Sequence, residues 1–294
     1  MSSNQHFFNQ SRAITHRPAR AVFIPTPEGL RLMRVSEFST PKFKTDSGWE
    51  TVKKSLVEMV SKGEDIEKVA EYIPDCYLEG IDLSVENSTN EAFKRLNLLR
   101  AQRRAKVKAL EMILCNPDLD MFGTFTYAED KSVDRLDYDS CYKVLKPWLS
   151  NRVERRGLKY VAVAEKQKKG GIHFHLLANK SALALAPARS PYTGKALTHS
   201  GKPLFNVSDW RHGFTSAEDI SGEDAQTKVA KYIFKYMTKN QQKIGGRYLL
   251  HGGDMAQPVY AYADSAEEFL TEEPKFTKSV EIGENISYKE WSFI

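Results

Sequence analysis

Leu158-Lys-Tyr-Val-Ala-Val-Ala-Glu-Lys-Gln-Lys-Lys-Gly-Gly-Ile-His-Phe-His-Leu-Leu-Ala178 is the stretch that decides the fold. Leu158–Ala164 alternates in the manner of a strand. Lys166 to Gly171 reads as a turn, because paired glycines tolerate positive φ. Ile172–Ala178 is then the returning strand. Successive strand side chains point to opposite faces. His173 and His175 therefore project to one side, with Phe174 buried behind them. If the turn sets Glu165 opposite His173, the carboxylate joins both imidazoles, since directly opposed residues share a face. A slip of one residue would send it to the other face. Two imidazoles and a carboxylate make an open site for Mg²⁺ or Mn²⁺, with positions left for water or phosphate. Alone, the histidine pair is equally compatible with structural or exposed histidines, and Glu165 with a solvated acid paired to a lysine.

Working outward, residues 138–156 read as a helix with Pro147 inside it, and Met121 to Tyr127 as a strand of aromatic and β-branched residues. Residues 90–114 form a long helix, with Asn90 as cap and Glu91 in its first turn. Its apolar stripe is flanked by lysines and arginines. Arg100, Arg103 and Arg104 are candidates to neutralise DNA phosphates; a solvated helix face is the alternative. Residues 186–206, rich in Pro, Gly and Ser, read as a loop. Residues 223–240 form a helix, with Val229, Ala230, Ile233, Phe234 and Met237 facing the core. Tyr232 and Tyr236 are four apart and stack along one edge of that stripe. Lys228, Lys235 and Lys239 lie just beyond. Two boundary tyrosines with wet hydroxyls are the bland reading. The other is a nucleophile: nearby ammonium charge favours the phenolate, and a metal ion activates phosphorus.

The ends are different in character. Residues 1–48 are polar and punctuated by proline, with a short strand at Ala21 to Ile24, and 49–73 have helical spacing. The chain carries +5 overall, but residues 251–294 hold nine acids against three lysines, a net −6 that leaves +11 on the remainder. A basic body with an acidic tail suits a polyanion binder. The expected organisation is a polar and helical N-terminal extension (1–89), a central domain (90–250) and an acidic C-terminal tail (251–294). Three scattered cysteines without a CxxC pair read as buried, reduced thiols. No window has the apolar length of a membrane span, and no secretory signal is visible, so a cytoplasmic location is expected.

Phe122-Gly-Thr-Phe-Thr-Tyr127, Gly171-Ile-His-Phe-His-Leu176 and Tyr232-Ile-Phe-Lys-Tyr236 resemble, in order, the three motifs of HUH endonucleases. The closer similarity is to rolling-circle replication initiators of single-stranded-DNA phages and plasmids, over residues 95 to 250. The resemblance implies an α+β fold, a central antiparallel sheet with packed helices and the metal site on the sheet. It implies His173, His175 and Glu165 as ligands of Mg²⁺ or Mn²⁺. Tyr232 and Tyr236 would attack single-stranded origin DNA, leaving a 5′-phosphotyrosine and a free 3′-hydroxyl, with Lys235 and Lys239 holding phosphates. It implies a site in the bacterial host's cytoplasm. No Gly-Lys-Ser/Thr phosphate loop is present, so no nucleotide cofactor is expected and a host helicase and polymerase would be partners. Trp210-Arg-His-Gly-Phe214 is similar to a segment of such proteins but carries no assigned chemistry; His212 reads as a surface histidine. A relaxase or transposase of the same superfamily, or a non-catalytic nucleic-acid-binding protein, are the competing readings.

Overall fold

A computed structural model describes residues 19–39, 54, 56–63, 66–72, 91–129, 133–168, 170–220, 230, 233, 247–282 and 286–294. In chain order the elements begin with β1 (Ala19–Thr26), β2 (Gly29–Ser39), α1 (Ile66–Tyr72), α2 (Glu91–Cys115), β3 (Met121–Phe125) and α3 (Tyr138–Arg156). There follow β4 (Tyr160–Lys166), β5 (Ile172–Ala178), β6 (Leu185–Pro187), β7 (Thr198–His199), β8 (Lys202–Val207) and β9 (Thr215–Asp219). The last are β10 (Leu250–Gly252), β11 (Val259–Ala263), β12 (Phe276–Ile282) and β13 (Ile286–Ser292). The fold is α+β, as expected, and every strand ladder among the described residues is antiparallel.

The chain divides into two compact units, Ala105–Ala256 and the residues on either side of it. Ala105–Ala256 is built on one sheet in the order β10-β4-β5-β3-β9-β8-β6, with β7 beside β8. Period-2 alternation gives the sheet two apolar faces. Ala162, Ala164, Phe174 and Leu176 meet Cys141, Leu145, Trp148 and Leu149 of α3. Phe122, Val161, Val163 and Leu177 meet Ala109, Met112 and Ile113 of α2, together with Ala230 and Ile233. Local signals delimit α3. The Asp137 side chain accepts from the Ser140 N–H at 2.7 Å, and Gly157 ends the helix with φ 65°.

The second unit has a five-stranded sheet in the order β11-β1-β2-β13-β12. Here the structure departs from the expectation of a polar, helical extension and a separate acidic tail. The N-terminal strands β1 and β2 pair with β11 and β13 from the far end of the chain. Ala19, Ala21, Leu32 and Val35 share a core with Ala261, Ala263, Phe269 and Phe293. Each end finds its partner more than 200 residues away, where a local pattern gives no signal. The expected loop at 186–206 also contains strand: β7 and β8 form a hairpin in which His199 pairs Lys202. Ser200 (φ 50°) and Gly201 (φ 80°) make its two-residue turn.

Of the helix expected at 223–240, Ala230 and Ile233 are described; both are helical and buried, as the core-facing stripe requires. Lys228, Tyr232, Lys235, Tyr236 and Lys239 lie outside the described residues, as do Cys76 and Asn90. Cys115 and Cys141 are free and buried. Burial pushes the Cys141 thiol up to about 12, which removes it as a nucleophile.

Candidate active site

The β4–β5 hairpin positions the candidate site. Its turn is closed by the Gln167 N–H donating to the Gly171 carbonyl at 2.9 Å and by Gly170 at φ 92°. The resulting register sets Glu165 opposite His173, the alignment that the sequence reading required. β3 lies on the other side of β5, with Thr124 opposite His175. Glu165, His173, His175 and Thr124 thus occupy one face of the sheet. The same face continues into the apolar cluster with Ala230 and Ile233 through Phe122, Val163 and Leu177.

His175 is the buried member, 4% exposed. Its ring stacks on Phe122, centroids 5.8 Å apart and planes 7° from parallel. Its Nε2 lies 2.9 Å from Oε2 of Glu165, and its Nδ1 lies 3.2 Å from Oγ1 of Thr124. A carboxylate only accepts, so Nε2–H donates to Glu165 and the Thr124 hydroxyl donates to Nδ1. His173 is half-buried, with Nδ1 at 3.2 Å from Nε2 of Gln167. Burial pushes the pKa of both histidines below its ordinary value, and the Glu165 charge opposes that shift in each. Both imidazoles are therefore neutral at neutral pH, the form that ligates metal.

Among the described residues, no group of three or more His, Cys, Asp or Glu side chains stands in ligating geometry. In this rotamer set the inner imidazole spends Nε2 on Glu165 rather than on a point shared with His173. The donor chemistry nevertheless fits a divalent ion. A carboxylate and a buried imidazole are already in contact, and a second imidazole faces the carboxylate across the ladder. Bringing all three onto one ion requires side-chain rotation on a backbone whose register is set.

The other expected residues are dispersed. Arg104 of α2 is exposed, whereas Arg100 and Arg103 are half-buried. Burial, aided by Glu290, pushes the pKa of the Tyr288 hydroxyl up, while the Arg34 and Arg103 cations oppose that rise. Arg103 therefore has a neighbour within the fold. Thr124 and Gln167 were not singled out as site residues from sequence; the signal was available, because Thr124 sits in the strand motif Phe122 to Tyr127.

The segment Trp210 to Phe214 turns out to be a clamp. The Trp210 indole donates to the Thr126 carbonyl at 3.1 Å, and the Ala128 N–H donates to the His212 carbonyl at 2.9 Å. The indole packs edge-on against Phe125, Tyr127 and Trp148. His212 is half-buried with its ring 5.0 Å from that of Trp210, so it is a packing residue rather than a surface one.

The fold and this face define an α+β protein with a histidine–carboxylate cluster at the open end of an antiparallel sheet. Residues 120–241 match a family model for replication-associated proteins of the ORF2 type. The match spans 122 of the 294 residues and takes in the hairpin, the clamp and the segment with the two tyrosines. It supports a replication-associated role for the chain. No curated protein and no solved structure matches. Among the described residues no helix is long and apolar enough to cross a membrane.

Proposed function

We propose that the chain is a rolling-circle replication initiator that nicks single-stranded origin DNA through a tyrosine nucleophile. The observation that carries this reading is the placement of Glu165 opposite His173, with His175 on the same face and bonded to Glu165. Glu165, His173 and His175 would hold Mg²⁺ or Mn²⁺, which supplies a positive centre for the non-bridging phosphate oxygens. The phenolic oxygen of Tyr232 or Tyr236 attacks phosphorus. A tyrosine–phosphate bond forms, the bond from phosphorus to the 3′ oxygen breaks, and the phenol proton is lost as the 3′ oxygen gains one. Supporting this, Ala230 and Ile233 are buried under the sheet face that carries the histidines. Both tyrosines lie within three residues of Ile233 in sequence. Lys228, Lys235 and Lys239 would depress the phenol pKa and hold phosphates, and Arg100, Arg103 and Arg104 would contact the DNA backbone further off. Host helicase and polymerase would extend the free 3′ end.

The test is incubation of the protein with origin-containing single-stranded DNA and Mn²⁺. A covalent protein–DNA adduct is expected, and it should vanish in the Tyr232→Phe/Tyr236→Phe double variant. No adduct with any origin DNA would sink the proposal. The absence of a three-residue ligating group among the described residues favours a second reading, a nucleic-acid-binding protein without nuclease activity. That reading expects binding that survives chelation, and no adduct.

A further inference from the structure

Phe214 is 79% exposed. Single exposed apolar residues are ordinary on a protein surface. Three features make this one different.

The first is rigidity. The Phe214 N–H donates to Thr126 Oγ1 at 3.1 Å, and the Phe214 carbonyl accepts from the Thr126 N–H at 2.9 Å and the Thr126 hydroxyl at 2.8 Å. The preceding residue, Gly213, has no room for a side chain: a Cβ there would lie 2.3 Å from the Thr126 carbonyl oxygen. The backbone that carries the ring is therefore fixed to the end of β3.

The second is position. β3 and β9 pair Phe125 with Thr215, and the next pair along is Thr126 with Phe214. β3 and β5 pair Phe125 with Phe174, and the next pair along is Thr126 with His173. Glu165, His173, Thr126 and Phe214 therefore fall in one row across four strands. Opposed residues share a face, so Phe214 lies on the face of the histidines. It stands two strand spacings from His173, about 10 Å.

The third is charge. Arg211, three residues before Phe214, is exposed and makes no ion pair among the described residues. A rigid aromatic ring beside a free cation is the combination that holds unpaired nucleotides.

We propose that Phe214 is a stacking platform for one base of single-stranded DNA beside the cleavage site, with Arg211 on an adjoining phosphate. The proposal rests on the reading of the histidine face as a DNA site. A stacked base must be unpaired, so the platform selects single strands over duplex. Stacking accepts any base, so Phe214 contributes affinity rather than origin sequence.

The experiment measures binding of the full chain to a labelled oligothymidylate and to a duplex of equal length. Chelator is present so that nothing is cleaved. Phe214→Ala is expected to weaken single-strand binding about tenfold with little effect on duplex, and Phe214→Trp to keep it within about twofold. Stacking should also quench the introduced tryptophan. Arg211→Ala should lower the salt dependence by about one phosphate contact, while Phe214→Ala leaves the slope unchanged. Equal loss on both DNAs, or Phe214→Ala binding single strands as the unaltered chain does, overturns the proposal. An unchanged thermal melt of Phe214→Ala certifies that the fold is intact; if it is not, the tryptophan quench and Phe214→Trp affinity decide. The two readings separate cleanly. If adducts form but Phe214→Ala binds normally, the platform falls and nicking stands. If no adduct forms but Phe214→Ala loses single-strand binding, the reverse holds.

Discussion

Thr124 shows how much of a metal site's behaviour rests on a hydroxyl that touches no metal. As the chain stands, His175 donates from Nε2 to Glu165 and accepts at Nδ1 from Thr124. A metal ion on Nε2 would require that proton to move to Nδ1. Nδ1–H would then donate to Thr124 Oγ1. A hydroxyl serves either arrangement because it both donates and accepts. A methyl group serves neither, and it leaves a buried ring nitrogen without a partner. Thr124→Val is therefore expected to raise the Mn²⁺ concentration needed for half-maximal adduct formation by about ten- to a hundredfold. Activity should be regained at saturating metal, and Thr124→Ser should restore the original metal dependence. A drop in maximal rate at unchanged metal dependence would contradict this role.

At the scale of elements, two devices position the candidate site, the β4–β5 hairpin and the clamp from Trp210 to Phe214. The hairpin was legible in sequence because its information is local. Paired glycines mark the turn, β-branched and aromatic residues mark the strands, and period-2 alternation assigns the faces. The span of α3 was legible for the same reason, with its capping aspartate and terminal glycine adjacent in the chain. The clamp was not. Trp210 meets its partner Thr126 across 84 residues, and nothing in Trp-Arg-His-Gly-Phe says which strand it will grip. The Glu165 register was readable only as a condition on the turn. The closeness of Thr126 leaves no space for a methyl group at Gly213, and its φ of 155° is unusual for other residues. Gly213→Ala should therefore destabilise the unit by roughly 2–4 kcal/mol, the range of backbone strain combined with a buried clash. Urea denaturation measures it. A change below about 0.5 kcal/mol, typical of a surface substitution, would mean that the clamp is slack.

For the whole molecule, the order of the sequence misleads about its division. A net −6 over residues 251–294 invites the picture of a solvated acidic tail. The structure instead puts strands there, and they complete the sheet begun by β1 and β2. Charge balance reports on solubility and partners, while the alternating apolar residues Val259, Ala261 and Ala263 report on pairing. The ladder β11-β1-β2-β13-β12 has a testable consequence. Removing 257–294 takes three of its five strands, and Phe269 and Phe293 leave the core that holds Ala21 and Val35. What remains is the β1–β2 hairpin, and an isolated hairpin is marginally stable at best. The sheet within Ala105–Ala256 keeps every strand, including the Asn116 side chain that accepts from the Ala256 N–H at 2.9 Å. Trypsin should therefore cut the shortened chain at Arg20, Arg31 and Arg34 roughly tenfold faster or more, the factor that about 1.4 kcal/mol of lost local stability gives. Arg152 of α3, tied to Asp209 at 2.5 Å, should stay protected. Unchanged protection of Arg20 to Arg34 would mean that the N-terminal strands hold without their C-terminal partners. Exposure of Arg152 would mean that the nuclease-like sheet draws its stability from outside Ala105–Ala256.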